Sequence, residues 1–315
     1  MLQLRPVISQ VVGRSILITG VARSGTSIMG TLVHSLSGVE LVFEPPLLYA
    51  LFPLLGQMDA ATWKFLYESY LFEDFLADAL AGRRSNFNRW DDSGIQKVKS
   101  IQDVDARLDS RYRRLDLFRE ACNHRVAYKM PDILPWVNTI TGPNFYPEMQ
   151  CIIMFREPEA VVDSLLKKHW FSDDGRSSDV IQGPWNRLAP DEAFWVRDST
   201  EWEDASELEK SYLYYLWQSE ALVARNKNYV LKNGIFETMD GKRYCIVNYD
   251  DFVREPAQEF QKVIEFVGCS PTPATAELLK TVKYQQNGMV AQTLDKISPE
   301  LRGRVLNVLK EMGHV

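Results

Sequence analysis

The sequence predicts an α/β fold in which a central parallel sheet is flanked by helices, and three observations support this. Short β-rich runs at residues 15–19, 39–43, 125–129, 150–155 and 244–248 alternate with longer stretches of helical period, the pattern of strands joined by crossover helices. The first run opens directly into a loop bracketed by glycines. The composition, 45% apolar and 25% charged over 315 residues, is that of a globular chain able to bury a large core. No repeat, low-complexity tract or obvious linker interrupts it, so a single domain over residues 1–315 is expected.

Along the chain, ILITGVARSGTS from Ile16 to Ser27 sets a buried strand against an anion cradle of the P-loop nucleotide-binding type. Gly20 and Gly25 stand at the first and last glycines of G-x-x-x-x-G-K-[ST], but Thr26 takes the lysine position and the basic residue, Arg23, lies inside the loop. Such a turn aims backbone N–H groups and the positive end of a helix at an anion, and the glycines allow close approach. Metal-assisted kinases keep the lysine that is missing here. The second run ends in VFEPP and carries Glu44. Asp59 is expected to cap a helix whose apolar pattern runs to Leu80, with Gly82 closing it. The third run ends in YKMP with Lys129, and the fourth in CIIMFRE with Arg156. Residues 171–205, rich in Asp, Ser, Gly, Pro and Trp and lacking a helical period, read as an irregular insertion over the site. Ser206 should open a long helix to about residue 232, and residues 298–312 a terminal one. In open α/β sheets ligands sit beyond the carboxyl ends of the strands. The loop, Glu44, Lys129 and Arg156 all follow such ends, so they are expected to share one crevice.

These marks resemble the sulfotransferases that use 3'-phosphoadenosine 5'-phosphosulfate. Their 5'-phosphosulfate loop runs G-x-[PA]-[RK]-S-G-T-[TS], here GVARSGTS. Their 3'-phosphate signature is an arginine ending a central strand and a serine on the next helix. CIIMFREPEAVVDSLLKKHW supplies Arg156 and Ser164 at that spacing. YKMP, Glu44 and the segment YCIVNYDDFVREPAQEFQKVIEFVG are similar to further family features, so the resemblance covers about residues 16–268 and weakens in the tail.

The resemblance implies transfer of a sulfuryl group to a hydroxyl, or less readily an amine, without a metal. Such transfer needs in-line placement, stabilisation of the departing oxygen and a base for the attacking hydroxyl. Arg23 would stabilise the leaving 5'-phosphate, with the N–H groups of Ser24, Gly25, Thr26 and Ser27 and the Thr26 and Ser27 hydroxyls holding its oxygens. The bland alternative for Arg23 is a solvent-facing turn residue. Arg156 and Ser164 would hold the 3'-phosphate; the alternatives are a salt bridge from Arg156 to Glu157 or Asp163, and a Ser164 hydroxyl bonded within its own helix. Tyr249 would meet the adenine or simply pack in the core. Glu44, flanked by Phe43, Pro45 and Pro46 beside a cationic loop, is the expected general base. His169 competes for that role, against a capping function at the end of its helix. Lys129 would add charge near the departing oxygen or orient the acceptor, or else form a strand-end salt bridge.

A net charge of −6, from 36 basic and 42 acidic residues, argues against a nucleic-acid surface. Cys122, Cys151, Cys245 and Cys269 are widely spaced, which indicates neither a disulfide framework nor a zinc site. Neither a signal peptide nor a membrane span is apparent, so the expectation is a soluble cytoplasmic protein. Trp170, Trp185, Trp195 and Trp202 lie in or beside the insertion, as a stacking wall for an acceptor or as its private core. The acidic residues Asp191, Glu192, Asp198, Glu201, Glu203 and Asp204 in the same region disfavour a polyanionic glycan and favour a neutral saccharide or a cationic metabolite. Two rival readings stand beside the transferase: a P-loop kinase of unusual sequence, and a non-catalytic nucleotide-binding module.

Overall fold

The computed structural model describes residues 6–88, 94–109, 113–172, 196–223, 229–232, 235–238, 243–282 and 292–311. Seven strands form one sheet: β1 (Ile16–Gly20), β2 (Val39–Phe43), β3 (Arg125–Lys129), β4 (Gln150–Phe155), β5 (Tyr229–Lys232), β6 (Ile235–Thr238) and β7 (Arg243–Asn248). Their order is β2-β3-β1-β4-β7-β6-β5. The pairs among β2, β3, β1, β4 and β7 are parallel, and β5 and β6 add an antiparallel edge beside β7. This edge corrects the sequence expectation of a helix from Ser206 to about residue 232. The helix is Glu207–Val223, and the β-branched and aromatic run from Tyr229 joins the sheet instead.

The parallel strands are buried on both faces, and ILITG has no exposed position. Alternation at period two divides the apolar side chains between two layers. Ile16, Ile18, Ile152 and Met154 face Met29, Leu32 and Val33 of the helix Thr26–His34 and Phe260 and Val263 of the helix Pro256–Val267. Leu17, Tyr128, Cys151 and Ile153 face the opposite layer, where Trp63 stacks on Tyr67 with ring centroids 4.8 Å apart. The Asp59 carboxylate caps the helix Ala60–Ser69 by accepting from the Thr62 N–H at 2.9 Å. That helix continues through a π-helical stretch, Tyr70–Ala77, before Asp78–Leu80 and the left-handed Gly82.

Below the amino ends of the strands sits a buried charge cluster. The Glu40 carboxylate, 1% exposed, pairs with Arg107 at 2.9 Å, His34 at 3.5 Å and Lys99 at 3.6 Å. Lys99 Nζ also donates to the carbonyls of His34 and Val39. Burial opposes ionisation of Glu40, but Lys99, His34 and Arg107 together hold its carboxyl well below the usual range. The cluster fastens the segment around the helix Ile101–Asp109 to the corner before β2.

Of the expected insertion, residues 173–195 lie outside the described residues, and with them Trp185, Trp195, Asp191 and Glu192. The remainder is not wholly irregular. Asp198 caps a short helix, Ser199–Asp204, and Glu201 pairs with Arg304 of the terminal helix Pro299–Glu311. Trp202 is 5% exposed and packs on Phe171 and Trp217, so this tryptophan belongs to the core rather than to an exposed stacking wall. All four cysteines are free. Among the described residues no helix is long and apolar enough to cross a membrane.

Candidate active site

Strand register alone brings most of the site together. Gly20 pairs with Met154, so the loop leaving β1 stands beside Arg156, the residue that follows the end of β4. Phe155 pairs with Asn248, which sets Arg156 next to Tyr249. Phe43 pairs with Lys129, which sets Glu44 at the end of β3, where its N–H donates to the Lys129 carbonyl at 2.8 Å. Residues from Gly20 to Tyr249 thus line one edge of the sheet, the carboxyl-end crevice where α/β sheets bind ligands.

The loop is built on backbone conformations that demand its glycines. Gly20 has φ 148° and Gly25 φ 88°. A Cβ on Gly20 would overlap the Met154 carbonyl, and one on Gly25 would overlap the Tyr249 ring. Between them Arg23 also adopts a left-handed φ of 72°, a non-glycine outlier of the sort that clusters at functional turns. The amides of Gly25, Thr26 and Ser27 open the helix Thr26–His34, where helical geometry offers them no intrahelical acceptor. Ser24 differs: its N–H closes a turn on the Val21 carbonyl at 3.2 Å, and its hydroxyl is buried without a hydrogen-bond partner among the described residues.

Two guanidiniums flank the loop. Arg23 is exposed and its Nε donates to Ser164 Oγ at 3.0 Å, reaching from the loop to the helix Pro158–Leu166. The Ser164 hydroxyl therefore faces the loop. Arg156 is 9% exposed; its Nη1 donates to the Arg23 carbonyl at 3.1 Å, and its guanidinium lies 4.7 Å from the centre of the Tyr249 ring. Neither arginine has a carboxylate partner among the described residues. Asp163 pairs with Lys167 instead, at 2.6 Å, so the salt bridge weighed for Arg156 is not made. The Arg156 Nε is buried without a hydrogen-bond partner among the described residues. A buried cation lacking a counter-ion is costly and is commonly matched by an anionic ligand. Tyr249 stands against Gly25 and beneath Arg156, which makes it a wall of this pocket.

At the other end of the crevice Lys129, only 4% exposed, donates from Nζ to Glu44 Oε1. Its ammonium also sits 5.7 Å from the Phe43 ring centre. The strand-end salt bridge considered for Lys129 is therefore real, and its partner is the expected base. The Glu44 side chain remains 43% exposed and its backbone is left-handed at φ 41°. His169 is placed elsewhere. It lies in the turn beyond the helix Pro158–Leu166 with a left-handed φ of 52°, donates its N–H to the Leu166 carbonyl, and lies 4.0 Å from Glu207.

Two residues at the site went unnoticed in the sequence. Asp132, directly after the KMP segment, is 5% exposed, and its Oδ1 accepts from the Ala22 N–H at 3.1 Å and from the Tyr214 hydroxyl. Burial pushes its carboxyl up to about 7, against the hydrogen bonds from Tyr214 and Ala22. An acidic residue closing a strand-end motif was the available signal for Asp132. Tyr214 carried none, since a tyrosine within SYLYYLW reads as core.

The sulfotransferase family model matches residues 15–273. The chain belongs to the sulfotransferase family. Among solved structures, this sulfotransferase is similar to the sulfotransferase domain from the curacin biosynthetic pathway, at 12% identity over 96% of this chain and 98% of that one, with a TM-score of 0.48. It is similar to sulfotransferase STF9 from Mycobacterium avium at 16% identity over 96% of this chain and 78% of that one, with a TM-score of 0.47. No curated protein matches it. The family match takes in the loop, Glu44, Lys129, Asp132, Arg156, Ser164 and Tyr249, and ends before the last helices.

Proposed function

We propose that this sulfotransferase moves the sulfuryl group of 3'-phosphoadenosine 5'-phosphosulfate to a hydroxyl of a saccharide or small metabolite, with Glu44 as general base. The observation that carries the reading is the pair of guanidiniums without carboxylate partners among the described residues, Arg23 and Arg156, set around a glycine-lined loop together with Ser164. A nucleotide carrying anions at both its 3' and 5' positions supplies two counter-charges to such a pocket. The unpartnered Arg156 Nε and the open amides of Gly25, Thr26 and Ser27 fit that ligand.

In this scheme Arg156 and Ser164 hold the 3'-phosphate, and the Tyr249 ring fixes the guanidinium plane. The loop amides and the Thr26 and Ser27 hydroxyls hold the 5' end, and Arg23 swings from Ser164 to the bridging oxygen. The acceptor oxygen forms its bond to sulfur as the bond from sulfur to the bridging phosphate oxygen breaks. The acceptor proton passes to Glu44, and the electron pair of the broken bond stays on the 5'-phosphate, stabilised by Arg23. Lys129 orients the Glu44 carboxylate through their ion pair. His169, turned toward Glu207, has no part in this scheme.

The decisive experiment incubates the protein with labelled donor and a panel of metabolites and glycans, and follows the label by mass spectrometry with and without EDTA. Transfer is expected in both conditions, while Glu44→Gln lowers turnover by about 100- to 10,000-fold with donor binding retained. Absence of sulfuryl transfer in both conditions, with EDTA-sensitive phosphoryl transfer from labelled ATP instead, would favour the kinase reading. Indifference to Glu44→Gln would favour a different base or a binding module.

A further inference from the structure

The anion loop is gripped from behind by one residue at two points. The Asp132 N–H donates to the Gly20 carbonyl at 3.0 Å, and its carboxylate accepts from the Ala22 N–H at 3.1 Å. The loop's first turn is therefore held at both sides of Val21. To do this Asp132 adopts a left-handed φ of 69°, a conformation that aspartate tolerates better than most residues. The Tyr214 hydroxyl, arriving from the helix Glu207–Val223, donates to the same carboxylate oxygen and lies 3.2 Å from the Ala22 nitrogen. Asp132 is too buried to meet an acceptor, so its influence on the reaction is exerted through the loop.

We propose that Asp132 is a positioning residue whose two-point clamp shapes the anion loop, and that its carboxyl takes up a proton when a phosphorylated ligand occupies that loop. The inference rests on the donor site described above. The physical reason is Coulombic: an ionised carboxylate directly behind an anion cradle repels the ligand, whereas a protonated one does not, and in either state Oδ1 still accepts from Ala22. The charged and titratable groups facing Asp132 are Tyr214, Glu44 after β2, Lys129 at the end of β3 and Tyr49 of the helix Pro46–Leu51. Burial and, to a smaller extent, Glu44 raise its proton affinity, while the hydrogen bonds and Lys129 lower it, which puts the group at about 7 before any ligand arrives. An added anion raises that value further, so binding above neutral pH is coupled to proton uptake.

The test measures calorimetric binding of adenosine 3',5'-bisphosphate to the wild-type protein and to Asp132→Asn between pH 6 and pH 8.5. The ligand's own phosphates titrate alike in both titrations, so the ratio of the two dissociation constants isolates residue 132. That ratio, wild type over variant, is expected to rise about tenfold across the range, the equivalent of one unit of displacement on binding. In the wild type at pH 7.5, titrations in two buffers of different ionisation enthalpy should also report net proton uptake; this readout serves even where the variant does not fold. A ratio flat with pH, or no proton uptake by the wild type, overturns the proposal alone. Failure of the wild type to bind the bisphosphate even at pH 6 overturns the donor reading and this proposal with it.

Discussion

Replacing Gly25 with alanine probes how the loop is packed against the end of β7. The left-handed φ of 88° at this position costs an L-residue about 1–2 kcal/mol relative to glycine. The new Cβ would also overlap Tyr249, standing 2.6 Å from Cε2 and 3.3 Å from Cγ, so the whole ring must move rather than a flexible tip. That ring is itself held under the Arg156 guanidinium, 4.7 Å from its centre. Overpacking of this kind costs about 1–3 kcal/mol, which brings the expected destabilisation of Gly25→Ala to about 2–5 kcal/mol. Urea unfolding of the wild type, Gly25→Ala, Tyr249→Ala and the double variant separates the two contributions. Without the ring only the backbone strain remains, so the double variant should be more stable than the sum of the singles by about 1–3 kcal/mol. Additivity to within about 0.5 kcal/mol would refute the steric argument and leave the glycine explained by its backbone conformation alone.

Arg156→Ala should weaken binding of adenosine 3',5'-bisphosphate by about 1.5–3 kcal/mol and leave adenosine 5'-phosphate almost unaffected, since only the former has a group for the lost guanidinium. Equal losses in calorimetric titrations of the two ligands would remove the 3'-phosphate role. Glu40→Gln should destabilise the fold by about 3–5 kcal/mol, because Lys99 stays buried without its carboxylate and Arg107 keeps the half-exposed Asp103. The Glu40 carboxyl is held well below its unfolded value, so its contribution is complete above the unfolded value and is lost as the pH falls through the folded one. Urea unfolding between pH 3 and pH 7 should therefore show a smaller gap between wild type and Glu40→Gln at the acid end; a gap constant with pH would contradict the ion-pair account.

Local sequence carried a large part of this architecture. The five parallel strands, the Asp59 cap, the left-handed Gly82 and the terminal helix follow from period, capping chemistry and glycine, all of which act over a few residues. The loop and Arg156 could be placed in one crevice because a parallel sheet sends every strand's carboxyl end to the same edge. Where the reading missed, the cause was competition between neighbouring signals. Asn233-Gly234 between two β-branched and aromatic runs is a hairpin signal, yet the helical pattern upstream predicts a helix that takes in the first of those runs, to about residue 232. The π-helical stretch Tyr70–Ala77 has an apolar spacing that an ordinary helix shares.

The chain's own residues thus specify the strands, the cradle and the side chains at its rim, because those depend on periodicity and on what glycine alone can do. Which charges go unpaired, and which are engaged, depends on folding in three dimensions. Lys129 finds Glu44 from 85 positions away, Arg156 reaches the Arg23 carbonyl across 133, and Asp132 meets Tyr214 across 82 to hold the loop. Hydrogen bonds and ion pairs fall off within a few ångströms, so partners so distant along the chain are selected only when packing brings the sheet edge and the covering helices together.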